Sequence, residues 1–187
     1  MTPLRYTRTA MLLHWLMAVL ILGMFGLGIY MADLPLSPQK LKLYSYHKWA
    51  GISVLLLALA RVAWRIGHPP PPLPASQPHW QQMAAHAGHG LLYVLIFAAP
   101  LSGWMMSSAL GFPVVWFGVL PLPDLIGKDK ELGELLKLVH QYLNYVFLAV
   151  VTGHALAAIK HQWLDRDGTL ARMLPAPNSS ASPENRP

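Results

Sequence analysis

Residues 10–32 read AMLLHWLMAVLILGMFGLGIYMA, twenty-three residues without a formal charge, broken only by His14. A helix rises about 1.5 Å per residue, so about 20 apolar residues cross the roughly 30 Å hydrocarbon core of a bilayer. The stretch is long enough to span. It ends at Asp33-Leu34-Pro35, a turn signal. The span is too long for a signal-peptide core, and no small-residue cleavage site follows it, so it is expected to be retained.

Three further stretches repeat the pattern: about 44–66, 84–110 and 135–160. In the second, Lys48, Arg61 and Arg65 lie near the ends, where long cationic side chains reach the headgroups. The Gly67-His68-Pro69 sequence and the prolines that follow stop it. Pro100 inside the third is expected to kink that helix, which a surrounding bundle accommodates. Residues 112–123, FPVVWFGVLPLP, are too short and proline-rich to cross and are expected at the interface. The fold class is therefore all-α, an integral-membrane antiparallel four-helix bundle. Residues 1–174 form the transmembrane domain, and 175–187 (PAPNSSASPENRP) are expected to be a disordered tail.

Composition agrees. Of the 187 residues 54% are apolar and only 12% charged, against about 25% charged in an average soluble domain. Lys and Arg total 14 against 8 acids, but no basic stripe interleaved with aromatics marks a nucleic-acid surface. Four spans place both termini on one side. Arg5, Arg8, Arg61, Arg65, Lys160, Arg166, Arg172 and Arg186 fall on it, whereas the other side carries six lysines and no arginine. The positive-inside rule then puts both termini in the cytoplasm.

Cysteine is absent, which removes disulfides, iron–sulfur clusters and covalently attached haem, while nine histidines remain as strong transition-metal ligands. His140 and His154 are 14 residues apart, four turns less about 40°, so both leave one face of the fourth helix about 21 Å apart along its axis. His14 matches His154 in depth near the inner surface, and His47 matches His140 near the outer one. Each pair offers two imidazoles on different helices at one height, the arrangement that axial ligation of a b-type haem requires. A single intramembrane histidine more often just bonds a neighbouring helix, but four at matched depths favour ligation. A proton path would recruit acids, and the span interiors contain none; zinc would want a tighter cluster.

His86 and His89 both lie near the inner surface, able either to compete with His14 for His154 or to support a ligand or a quinone. His161, at the inner boundary, is a candidate donor to a quinone carbonyl or an ordinary interfacial histidine. His68 and His79 flank the proline loop and are expected to be solvated. Gly23, Gly26, Gly28, Gly51, Gly88, Gly90, Gly103 and Gly153 allow close approach of helices to a haem plane, or simply pack the helices. The inner arginines Arg5, Arg8, Arg61 and Arg65 serve as topology anchors or as partners for haem propionates.

Leu13-His14-Trp15, the His47-Lys-Trp-Ala-Gly51-Ile-Ser segment through Arg61 and Arg65, Ala85-His86-Ala-Gly-His89, His140, Gly153-His154 and Asp167-Gly-Thr-Leu-Ala-Arg-Met-Leu-Pro175 together resemble the bacterial cytochrome b-561 family of four-helix dihaem membrane cytochromes. The resemblance implies two haems b, the iron of one ligated by His14 with His154 on the cytoplasmic side and that of the other by His47 with His140 on the periplasmic side. It also implies electron exchange with ubiquinone in the inner membrane. Some members resemble superoxide oxidases, releasing O2 outside and reducing ubiquinone inside. For that substrate the outer lysines Lys40, Lys42, Lys48 and Lys137 supply an attractive field, offset by five outer acids. The leading expectation is therefore oxidation of superoxide coupled to ubiquinone reduction. The alternatives are an electron-transfer subunit serving a periplasmic dehydrogenase, hydrogenase or other redox protein, and a haem-free transporter or packing subunit.

Overall fold

The protein is described here from a computed structural model, covering residues 5–74 and 76–175. The expected tail lies, apart from Pro175, outside the described residues.

Four long helices follow one another: α1 Arg8–Asp33, α2 Pro38–Gly67, α3 His79–Ala109 and α4 Lys130–Lys160. Each contains one of the expected apolar stretches but extends past it, apart from Leu110, which caps α3. The extensions follow from capping. The Thr7 hydroxyl accepts from the Ala10 amide (3.2 Å), Ser37 from Lys40 (3.2 Å) with Pro38 at the first helical position, and Asp129 from Leu132 (3.0 Å). These polar residues satisfy amides that a helix leaves open at its start, so the polar flanks join the helix. Helix α3 remains unbroken across Pro100.

All four helices are long and apolar enough to cross a membrane. Their polarity is inverted relative to a soluble bundle: Val19, Val94 and Tyr142 are exposed on the outer surface of the bundle, while the tight centre is small, formed by Leu95, Ala99 and Phe147 with Phe25, Ile96 and Leu143 packed on it. Lipid supplies the environment that a larger core would supply in water. The helices alternate in direction. The Arg61 guanidinium near the end of α2 donates to the Ala10 carbonyl at the start of α1 (3.3 Å), and the Asp129 amide before α4 donates to Ala109 at the end of α3 (3.0 Å).

Residues 112–123 do not cross as a helix. They form a two-stranded hairpin, β1 Val115–Trp116 with β2 Leu120–Pro121, turning through Phe117 and Gly118, both at positive φ. Tryptophan fixes it to α2: the Trp49 indole donates to the Val115 carbonyl (2.6 Å), and the Trp116 indole to Ser53 Oγ (3.2 Å). At the opposite end α4 runs into a π-helical turn, His161–Asp165, and then a 3-10 turn, Leu170–Met173. This segment is sewn to the starts and ends of other helices. The Trp15 indole donates to Met173 O (2.9 Å), the Tyr6 amide to Arg172 O (3.2 Å) and the Arg172 guanidinium to Pro72 O (2.5 Å).

Candidate functional site

The helix register brings the four singled-out histidines into two facing pairs. His47 on α2 faces His140 on α4 with ring centroids 6.3 Å apart, and His14 on α1 faces His154 on α4 at 6.2 Å. All four side chains are half-buried, whereas His86, His89, His68 and His79 are exposed.

The pair of His47 and His140 is the more completely built. One ring nitrogen of His140, Nδ1, lies 3.0 Å from the Ala99 carbonyl oxygen and 3.0 Å from Ser102 Oγ. A carbonyl can only accept, so Nδ1 carries the proton and Nε2 the lone pair; Asn144 Nδ2 is 3.2 Å from it. Fixing one imidazole nitrogen on a backbone carbonyl is how proteins orient a histidine that ligates through the other. His47 is its complement. Its Nδ1 is buried without a hydrogen-bond partner among the described residues. Leaving a buried polar atom unpaired costs about 1–3 kcal/mol, which a bound group can offset.

Glycine makes room for both rings. A side-chain carbon on Gly28 would meet His47 Cε1 at 3.5 Å, and one on Gly103 would stand only 3.0 Å from His140 Cε1 and 3.2 Å from Nδ1. His47 and His140 both line an apolar cavity, walled also by Phe25, Ile52, Gly103, Asn144 and Phe147. Its apolar wall suits a flat organic cofactor. Of the other glycines considered from sequence, Gly51 meets only Met24, and Gly23, Gly26, Gly88, Gly90 and Gly153 have open space beside them.

The family follows from comparison. The family model described as prokaryotic cytochrome b561 matches residues 5–176. The chain belongs to that family. Cytochrome b561 homolog 2 of Escherichia coli strain K12 is 36% identical over 92% of this chain and 93% of its own length. A probable superoxide oxidase of Yersinia pestis is 29% identical over 87% of this chain and 92% of its own, and cytochrome b561 homolog 1 of E. coli K12 is 28% identical over 91% and 97%. A prokaryotic cytochrome b561 binds haem b and transfers electrons as a multi-pass protein of the bacterial inner membrane.

The ring spacing leaves room for a metal-centred group that each pair would hold. With metal–nitrogen bonds of about 2.0–2.1 Å, two imidazoles sharing one metal would have centroids roughly 6.3 Å apart. The two pairs stand at 6.3 and 6.2 Å. His89 is also near His154, at 5.4 Å, a spacing shorter than that sandwich and on an exposed side chain. His86 is exposed and enters neither pair. Arg61 is engaged with the Ala10 carbonyl, and Arg65 lies over the Tyr93 ring at 5.7 Å.

Several expected roles change in this cytochrome. His68 is exposed but not merely solvated: its ring stacks on Trp64 at 3.9 Å and bonds the Trp64 carbonyl at 3.1 Å. The outer lysines do not form one cluster. Lys40 donates to Ala32 O (3.1 Å) and Leu34 O (2.5 Å), capping α1, and Lys137 pairs with Glu134 at 3.3 Å. Of the four, Lys48 alone lines the cavity beside His47 and His140, its ammonium on Phe112 O (3.1 Å) and Pro113 O (3.4 Å). His161 stands where the π-helical turn begins, and its Nδ1 lies 2.7 Å from Asp167 Oδ2. Sequence reasoning missed Ser102, Asn144 and the Ala99 carbonyl around His140. Asn144 was within reach of it, standing one turn beyond His140.

Proposed function

We propose that the chain is a dihaem electron wire that oxidises superoxide at the outer side of the membrane and reduces ubiquinone at the inner side, with both termini in the cytoplasm. The observation that carries the two-site reading is the pair of histidine sandwiches at equal ring spacing, drawn from two depths of the same helix face. Bound haem supplies one-electron redox chemistry and a path for electrons between the two depths. His47 and His140 would hold the outer group, and His14 and His154 the inner one.

The chain's own residues do the rest. Nδ1 of His140, donating to Ala99, keeps its other nitrogen unprotonated for ligation. Lys48 places a cation at the outer cavity, where a small anion would be drawn in. Two superoxide ions each give up one electron and leave as O2; ubiquinone takes both electrons with two protons from the inner side. Support for superoxide comes from Lys48 and from the Yersinia relative's designation. Support for the quinone end comes from His161 at the inner boundary, whose side chain is 16% exposed.

Stopped-flow mixing of the oxidised, haem-loaded protein with superoxide tests the donor. Rapid appearance of the reduced haem band, slower at high salt, is expected. A haem that stays oxidised would exclude superoxide and favour the reading as electron-transfer subunit for a periplasmic redox protein.

A further inference from the structure

Beyond the paired histidines lies a second polar assembly, at the inner end of α4. His161 Nδ1 is 2.7 Å from Asp167 Oδ2 and 3.1 Å from Asp165 Oδ2. The Asp167 side chain is only 6% exposed, yet it is fully engaged. Gln77, buried in the loop between α2 and α3, donates its amide to Oδ2 (2.9 Å), and the Thr169 backbone amide donates to Oδ1 (2.9 Å). Gln77 also reaches Thr169 Oγ1 at 3.3 Å, and its own carbonyl accepts from Gln82 at 2.9 Å. A carboxylate held by three elements, with one oxygen turned on an imidazole, is more than a solvent-exposed ion pair. It is a histidine–aspartate dyad. Burial works against the charge on Asp167, but the bonds from Gln77 and Thr169, with His161 beside it, outweigh burial and hold its pKa down to about 2. The carboxylate therefore carries no proton near neutrality and must accept, so Nδ1 of His161 is the donor.

We propose that Asp167 is a positioning residue for quinone reduction, fixing the His161 proton on Nδ1 so that Nε2 carries a second proton only as imidazolium and delivers that proton to a quinone oxygen. The inference rests on the reading above that a quinone is reduced at this end. Among the described residues Nε2 has no hydrogen-bond partner, which leaves it for a ligand. Converting ubiquinone to ubiquinol adds two electrons and two protons: both C=O groups become C–OH and the ring becomes aromatic. The electrons come from the outer donor, one from each of two superoxide ions. Each proton leaves Nε2, the neutral ring stays anchored through Nδ1 on Asp167, and water on the inner side restores the imidazolium. Asp165 and Asp167 face His161, while Lys160 pairs with Asp165. Arg166 donates to Trp163 O (3.4 Å), and Arg172 of the 3-10 turn to Pro72 O. The group that reaches in from the α2–α3 loop, Gln77, is uncharged.

The test uses the full-length, haem-loaded protein in detergent, reduced with dithionite and mixed with a short-chain ubiquinone across a pH series. Asp167→Asn is expected to slow the maximal rate of haem reoxidation about 10–100-fold, with little change in the quinone concentration giving half-maximal rate. The fall of the rate with rising pH should begin about 1 unit lower, as expected on removing an opposite charge in contact, and Asp167→Glu should restore it. If Asp167→Asn binds less haem than wild type, Asp167→Ser, which also removes the charge, is used instead, with the same direction of pH shift expected. An unchanged pH profile in a haem-replete variant overturns the proposal. His161→Ala separates the two levels: if it slows reoxidation while Asp167→Asn does not, only the positioning role fails; if it leaves reoxidation unchanged, the quinone reading at this end fails with it.

Discussion

Gly103 leaves His140 room that a larger residue would take. A methyl group there would stand 3.0 Å from the ring, so in Gly103→Ala the imidazole has to give by a few tenths of an ångström against its bond to the Ala99 carbonyl. Overpacking of this kind costs about 1–3 kcal/mol. The expected outcome is loss or spectral displacement of the outer haem alone, with the inner one unchanged, read from the absorption spectrum. Gly153→Ala, with open space beside it, should leave both intact. Lys48 makes a prediction of a different kind, since it lines the cavity with its ammonium on the Phe112 and Pro113 carbonyls. Lys48→Met should lower the second-order rate of haem reduction by superoxide about tenfold at low salt, the lower end of what steering contributes, and the variant's rate should lose most of its salt dependence. The histidines themselves were legible in the sequence because spacing on a helix fixes both face and depth. The residues that hold them were not, since Ala99 acts through its carbonyl and Ser102 through a contact made 38 residues away from His140.

At the scale of elements, the four helices followed from apolar length, while their ends depended on the polar caps Thr7, Ser37 and Asp129. The hairpin at 112–123 was harder to see. Its strands are two residues each and are stabilised by Trp49 and Trp116 reaching across to and from α2, a long-range arrangement that local pattern does not encode. The π-turn at His161–Asp165 was equally hidden, since nothing in the local pattern marks where the α-helix changes pitch. The segment after it makes a pH-dependent contribution to stability. Asp167 titrates at about 2 in the folded protein against an ordinary value of 3.8. A lowered carboxyl pKa stabilises the fold at pH above the ordinary value, and that contribution fades as pH falls from there through the folded value. Asp167→Asn should therefore melt below wild type at pH 5 to 7, by on the order of 1–3 kcal/mol for hydrogen bonds to a charged group. The gap should narrow as pH drops from about 4 towards 2. A gap independent of pH would show that the carboxylate's charge contributes nothing to holding the inner segment.

For the whole molecule, the inverted polarity and the alternating helices make one bundle whose two ends differ in chemistry. One end carries the hairpin, Lys48 and the cavity lined by His47 and His140. The other carries His14, His89, His154 and the dyad of His161 with Asp167. The antiparallel order was legible in the sequence because three connections join four consecutive spans, which must cross in alternating directions, and because the matched depths of histidines on α1, α2 and α4 agree with that order. The central claim is that each histidine sandwich holds one haem. Haem bound per polypeptide, measured on purified wild-type, His140→Ala and His154→Ala proteins, tests it most directly. Two haems in wild type and one in each variant, with different absorption maxima left behind, is the expected result. Two haems retained in either variant, or a single haem in wild type, would contradict the account.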